Sequence, residues 1–225
     1  MDETEDSSDI WVMDADGSNL TNITYTPNVR EYQPSWSPSG TQLLFVREIE
    51  GQVISEQPDI FVMDANGETP ATNLTNTDES EIDPAWSPDG TRIAFAGVRE
   101  GGDEIVTMDP DGQNEEILTG DGPEGEDRAP DWSPDSTKVV FMNRTSEGEL
   151  WEIWAVNHDG SGDTNLTDNP ADDMFPSWSP NGTEITFSSN RAATETDPDR
   201  VDIFAMPAPT TLPPPSTTAS RSTIE

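Results

Sequence analysis

Four copies of one short motif limit what this chain can fold into. PSWSPSG (34–40), PAWSPDG (84–90), PDWSPDS (130–136) and PSWSPNG (176–182) share one pattern. Their tryptophans, Trp36, Trp86, Trp132 and Trp178, stand 50, 46 and 46 residues apart. A period of this size marks a repeat architecture, in which each unit buries its apolar face against its neighbour. Such scaffolds present a binding surface more readily than a single catalytic centre.

Each repeat resolves into four short strands. The first holds the tryptophan. A Ser-Pro-Asp-Gly type turn follows, in which Pro fixes φ, Asp bonds the local backbone and Gly accepts positive φ. The second strand comes next as TQLLF (41–45), TRIAF (91–95), TKVVF (137–141) and TEITF (183–187). These are β-branched and aromatic runs of strand length. The third strand and its turn read DIWVMDADG (9–17), DIFVMDANG (59–67), EIVTMDPDG (104–112) and EIWAVNHDG (152–160), with a partial fifth copy, DIFAM, at 202–206. The fourth strand closes on NIT (22–24), NLT (73–75), ILT (117–119) and NLT (165–167). No segment has helical periodicity, and four strands in about 45 residues is the spacing of a propeller blade. The expected fold is therefore all-β, a β-propeller of four-stranded antiparallel blades.

Charge sets the second boundary. Acidic residues number 46 against 10 basic ones, a net charge of −36, and Lys138 is the single lysine beside nine arginines. Nucleic acid and anionic membrane both demand positive charge and are excluded as partners. Carboxylate excess with lysine depletion resembles the pattern of halophile proteins, whose self-repulsion is screened over roughly 3 Å or less above 1 M salt; the alternative is an ordinary acidic secreted protein. The chain has no cysteine, so disulfides and thiolate metal sites are ruled out. No stretch approaches the ~20 apolar residues of a membrane-spanning helix. Three regions are expected: a disordered acidic segment over 1–8, the repeats over 9–206, and a Pro/Thr/Ser-rich tail or linker over 207–225.

The Pro-x-Trp-Ser-Pro-Asp-Gly core and the Ile-aromatic-Val-Met-Asp-x-Asp-Gly strand resemble the WD-like repeat of TolB-type β-propellers. Similar repeats occur in the propellers of prolyl-oligopeptidase-type peptidases. The resemblance spans residues 9–206 and implies blades of strands A to D, counted from axis to rim, normally six to a ring. Here the chain opens with strands C and D, continues with three full blades and closes with A, B and C. Two arrangements fit: a four-bladed ring, the last A and B completed by the first C and D with DIFAM left over, or an arc of a larger ring. An arc would expose strand edges and could form a homodimer.

One column of residues invites a site. An acid stands three residues before each motif proline: Glu31, Glu81, Asp127 and Asp173. If the tryptophan strand is innermost, these carboxylates reach one mouth of the channel and could bind a ligand or a hard cation such as Ca²⁺. The alternative is a local structural task repeated four times. The Asp-x-Asp-Gly turns (Asp14–Gly17 and equivalents) lack the distal Glu and flanking helices of a calcium loop and read as hairpin turns. The motif tryptophans read as packing groups. Asn-x-Thr sequons at Asn19, Asn22, Asn73, Asn143, Asn165 and Asn181 are glycan acceptors if the protein is exported, although repetition alone accounts for most of them. Catalysis finds no support: His158 is the single histidine and no Gly-x-Ser-x-Gly elbow is present.

The expected function is a non-enzymatic scaffold that binds a protein or peptide partner, without membrane insertion, at the cell envelope or surface. The alternatives are the propeller segment of a larger peptidase or lyase, and a cation-binding structural module.

Overall fold

A computed structural model describes residues 7–49, 57–99, 102–120, 125–144, 149–194 and 196–213. The chain divides into two compact units, Met1–Pro84 and Ala85–Glu225. In the first, β1 (Trp11–Val12) and β2 (Thr21–Asn22) form a two-stranded sheet. A four-stranded sheet follows in the order β3 (Val29–Trp36), β4 (Gln42–Ile49), β5 (Asp59–Asp64) and β6 (Thr72–Asn73). Strand β7 (Glu81–Trp86) carries the chain into the second unit.

There β8 (Ile93–Arg99), β9 (Gly102–Met108) and β10 (Glu116–Ile117) form one blade, and β11 (Gly125–Trp132), β12 (Lys138–Arg144), β13 (Glu152–Asn157) and β14 (Thr164–Asn165) the next. A parallel contact of β9 with β11 merges them into one sheet, pairing Gly102 with Gly125 so closely that a Cβ on Gly102 would collide with the Gly125 carbonyl. The last sheet is β15 (Asp173–Trp178), β16 (Glu184–Ser189) and β17 (Asp202–Pro207). Among the described residues there is no helix, as the period-2 patterning requires.

Strand pairing does not close these sheets into a ring among the described residues. The segment DIFAM, left over in a four-bladed count, lies within β17 and takes the third place beside β16. That is the place a four-bladed closure would have given to β1, which among the described residues pairs with β2 and not with β16. The boundary expected at 206/207 falls inside β17, and Ala208 and Leu212 pack on the Val140–Ala155–Ile185 cluster. Residues 1–6 of the expected N-terminal segment and 214–225 of the expected tail lie outside the described residues.

The motif turns behave as their chemistry dictates. In each, the serine hydroxyl accepts the backbone N–H five residues on, Ser37 from Gln42, Ser87 from Arg92, Ser133 from Lys138 and Ser179 from Glu184. Asp89, Asp135 and Asn181 each gather the hydroxyl of the serine two residues earlier and the N–H two residues later. Those hydrogen bonds hold the Asp135 carboxyl down at about 2.

A bulge interrupts the tryptophan strands β3, β11 and β15, each time just before the motif proline. The residue preceding each of the four prolines, Gln33, Asp83, Ala129 or Phe175, has a left-handed backbone with φ between 52° and 56°. For a residue with a Cβ this costs ~1–2 kcal/mol. The extra residue has a definite effect. Glu31 pairs with Arg47 and Trp36 with Leu43, so acid and tryptophan, five positions apart, share one face of the sheet. That face looks toward the preceding repeat, where Leu43 and Phe45 meet Ile10 in the core.

Candidate functional site

The four acids of the sequence column are not loop residues leading into a strand. Glu31 and Asp127 are the third residues of β3 and β11, and Glu81 and Asp173 open β7 and β15. All four are buried. Each ties its own repeat to the one before it. The backbone N–H groups of Glu31, Glu81 and Asp173 donate to the carbonyls of Ser8, Pro58 and Trp151, each 2.8 Å away and two residues before the buried isoleucine of the preceding third strand.

The carboxylates complete the tie. Glu31 accepts from the Thr26 hydroxyl (2.7 Å), Glu81 from Thr77 (2.7 Å) and Asp173 from the Asn169 amide (2.7 Å), all at the exit of the preceding fourth strand. On the other side stand donors from the acid's own second strand or, for Arg191, from two residues past its end. Arg47 donates to Glu31 at 2.6 Å, Asn143 to Asp127 at 2.6 Å and Arg191 to Asp173 at 2.6 Å. Arg47 also lies over the Phe61 ring (4.5 Å) and Arg191 over Phe187 and Phe204 (4.9 Å each). Asp127 differs from the two Arg-paired members: among the described residues it faces the neutral donors Thr119 and Asn143. Burial pushes its carboxyl up to about 7, against hydrogen bonds from Thr119 and Asn143, and the Glu104 and Asp163 carboxylates add to the rise. Among the described residues no group of three or more His, Asp or Glu side chains is placed to hold a metal ion.

A second acidic column does equally specific work, and the sequence reading passed over it. Asp9, Asp59, Glu104 and Glu152 each precede the isoleucine of a third strand. Asp9 and Asp59 accept from the Nδ2 of Asn22 (2.7 Å) and Asn73 (2.9 Å). Asp59, Glu104 and Glu152 accept from the hydroxyls of Thr75, Thr119 and Thr167. The four threonine hydroxyls, Thr24 included, in turn accept the N–H of Ile10, Ile60, Ile105 and Ile153 at 2.9–3.1 Å.

The Asn-x-Thr repeats are therefore clamps that pin a two-residue fourth strand to the third. The same Asx-turn geometry recurs at Asn165, whose Oδ1 accepts the N–H of Thr167 and Asp168. Because the Nδ2 of Asn22 and of Asn73 is spent on a carboxylate, a glycan there would break the clamp. The signal was the invariable acid before each isoleucine in the aligned third strands. Replacing Thr75 by Val is expected to cost about 1–2 kcal/mol and to speed exchange of the Ile60 amide specifically, read by hydrogen exchange.

The remaining groups settle into simpler roles. Trp132 is buried, whereas Trp36 is 50% exposed. Its face looks onto a preceding repeat that consists, among the described residues, of β1 and β2 alone, so no inner strands cover the ring. Trp151 is half-buried beneath Arg144 (4.7 Å), and Trp11 is the more exposed indole. The Asp-x-Asp-Gly turns are hairpin turns, with Gly17, Gly67, Gly112 and Gly160 donating to the carbonyl three residues back. His158 is an exposed turn residue. A cleft of about 410 Å³ in the second unit is lined by Asn143, Leu150, Glu152, Trp154, Asn165 and Asp168 among others, and brings no nucleophile–base pair together.

Repeat blades stitched by these ties define a propeller-type scaffold. The TolB beta propeller domain family (PD40) matches residues 2–124, and the chain belongs to that family. Among solved structures, the chain is similar to TolB from Acinetobacter baumannii (23% identity, TM-score 0.65), covering 89% of this chain and 48% of that one. A puromycin-hydrolyzing peptidase of Mycobacterium tuberculosis is similar at 12% identity and TM-score 0.63, over 87% of this chain and 30% of that one. A chain of the nidogen/laminin complex is similar at 12% identity and TM-score 0.60, over 82% of this chain and 68% of that one. The chain thus spans about half the length of the first of these. Comparison with curated protein sequences finds no match. No helix among the described residues is long and apolar enough to cross a membrane.

Proposed function

We propose that this chain is a non-catalytic propeller scaffold that binds a protein or peptide segment at the cell envelope or surface. The observation that carries the reading is how the repeated polar columns are used. Both acidic columns, the clamp threonines and the motif turns hold blades and strands together, and none converges on a reacting centre. Membership of the TolB propeller family supports a binding role, as does likeness to a chain found in the nidogen/laminin complex. The test is cross-linking of the full chain in cell-envelope extract at molar salt, against a chain of equal charge. Recovery of the same proteins by both overturns the reading.

A second reading, the propeller segment of a larger peptidase, is favoured by likeness to puromycin-hydrolysing peptidases of which this chain spans 30%. The flanking coding sequence decides it: a catalytic domain in the same reading frame replaces the scaffold reading with this one. The net charge of −36 further supports a protein adapted to molar salt. Its melting temperature is expected to rise steadily from about 0.1 to about 3 M KCl as self-repulsion is screened. A flat or falling series by circular dichroism overturns that adaptation.

A further inference from the structure

We propose that the outer edge of β17 is a receptor for one extended Thr-Asn-Leu/Ile-Thr segment of a partner protein, which completes the last sheet as its fourth strand. This deepens the peptide-binding reading above and rests on it. The template occurs within the chain itself. In four repeats the third strand is joined on its outer side by a two-residue strand: β2, β6, β10 and β14. The register is constant, Trp11 opposite Asn22, Phe61 opposite Asn73, Val106 opposite Ile117 and Trp154 opposite Asn165.

The chemistry of the join is constant too. The isoleucine N–H donates to the threonine hydroxyl, and its carbonyl accepts the N–H of the residue between Asn and Thr, as Ile60 accepts from Leu74 and Ile153 from Leu166. The acid before the isoleucine receives the Asn or Thr side chain.

Strand β17 repeats every receptor element. Asp202 and Ile203 match Asp59 and Ile60, and Ile203 pairs with Ser188 on β16 as Ile60 pairs with Val46 on β4. That shared register turns the Ile203 N–H and C=O away from β16. Among the described residues β17 pairs with β16 alone, and the chain after it turns toward β13, where Leu212 and Pro213 lie against Gly162. Ile203 is 72% exposed because its side chain stands on the outer sheet face beside Ser188, the face on which Ile10 is buried against Leu43 and Phe45 of the following repeat; the open edge follows from the strand pairing. The Asp202 carboxylate is met by Arg200 at 2.8 Å, a surface pair that an incoming asparagine amide can displace.

The occupant is a strand rather than another blade because the β16 side of that sheet face is polar. Thr186 and Ser188 stand where the other second strands carry buried Leu44 and Val46, Ala94 and Ala96, or Val140 and Met142. A face so altered is that of a capping repeat, while the edge keeps the full receptor pattern. Edge addition supplies affinity through main-chain hydrogen bonds and specificity through the alternate side chains. Asp197, Asp199 and Asp202 nearby favour a segment without negative charge at its centre.

The experiment uses the full chain in molar KCl and a fluorescent probe peptide, Ac-Thr-Asn-Leu-Thr-Gly-Asn-amide. Anisotropy is read together with hydrogen exchange at the Ile203 amide. Saturable binding that slows Ile203 exchange is expected. An analogue with Ala for Asn and Val for the second Thr should bind at least about tenfold more weakly. Asp202→Ala should weaken the probe by a similar factor, and Ile203→Pro, which removes an N–H that β16 does not use, should abolish binding. Equal binding of the probe and its analogue overturns the proposal. So does Ile203 exchange that is already slow without peptide: if independent of protein concentration, a segment of the same chain covers the edge, and if it slows with concentration, a second copy does. If Ile203→Pro leaves envelope cross-linking unchanged, the edge proposal falls while the scaffold reading stands.

Discussion

Replacing Glu31 by Gln is expected to destabilise the first unit by about 3 kcal/mol, the cost of leaving a largely buried partner charge uncompensated. Glu31 is fully buried, and the Arg47 guanidinium it holds is 16% exposed at the side chain and sandwiched over Phe45 and Phe61. Gln keeps a hydrogen-bond acceptor for Arg47 and Thr26 but removes the negative charge. The double variant Glu31→Gln/Arg47→Met should recover part of the loss, because an apolar side chain can cover the same rings without needing a counter-charge. Denaturant melts at fixed salt check both. A single-variant loss below about 0.5 kcal/mol would class the pair with exposed surface bridges.

The equivalent exchange at Asp127 should have the opposite sign at neutral and higher pH. Burial raises this carboxyl to about 7, and among the described residues no arginine faces it in the way that Arg47 faces Glu31 and Arg191 faces Asp173. Because the folded form holds its proton more tightly than the unfolded chain, Asp127 favours folding at pH below about 4. That contribution is lost as pH climbs through the window from about 4 to about 7. Asp127→Asn, a neutral isostere, is therefore expected to stabilise the second unit by on the order of 2 kcal/mol at pH 8, to be near neutral at about pH 4, and to flatten the slope between. Chemical melts at the two pH values check this. Equal effects at both would show that the carboxylate is not the source of the penalty.

Why one column carries two signs explains how much of this molecule could be read from its residues. The four Trp-Ser-Pro motifs and the strand runs between them were sufficient for blade order and turn chemistry, because those are local: Ser87, Asp89 and Thr91 need only each other. The acids were visible as a column. Their purpose was not, because their partners Thr26 and Arg47, or Thr119 and Asn143, lie on two different repeats and show no shared residue type. The left-handed residue before each motif proline, and the bulge it accompanies in β3, β11 and β15, were equally hidden. Nothing in Gln33, Asp83, Ala129 or Phe175 announces a left-handed backbone, yet that extra residue turns the acid and the tryptophan to one face. The third-strand acids were legible and overlooked, since Asp9, Asp59, Glu104 and Glu152 look like ordinary surface charge in so acidic a chain. The exposure of Trp36 followed from the two strands that precede it, a matter of neighbours rather than of the motif.

The inter-repeat tie also fixes which stretch of gene can be copied safely. Glu31 joins Ser8 and Thr26 behind it to Arg47 ahead, so one complete fastening is encoded between the third strand of one blade and the second strand of the next. A duplication cut in that phase inserts a segment that already carries both halves of its own fastening. A cut between the fourth strand and the following tryptophan strand, where the repeat begins on paper, parts Thr26 from Glu31, so the copied acid must take its donor from whichever fourth strand it lands behind, Thr77 or Asn169 in place of Thr26. Lineages that lengthened or shortened such chains by whole repeats would thus be expected to keep their breakpoints in the loop after the second strand.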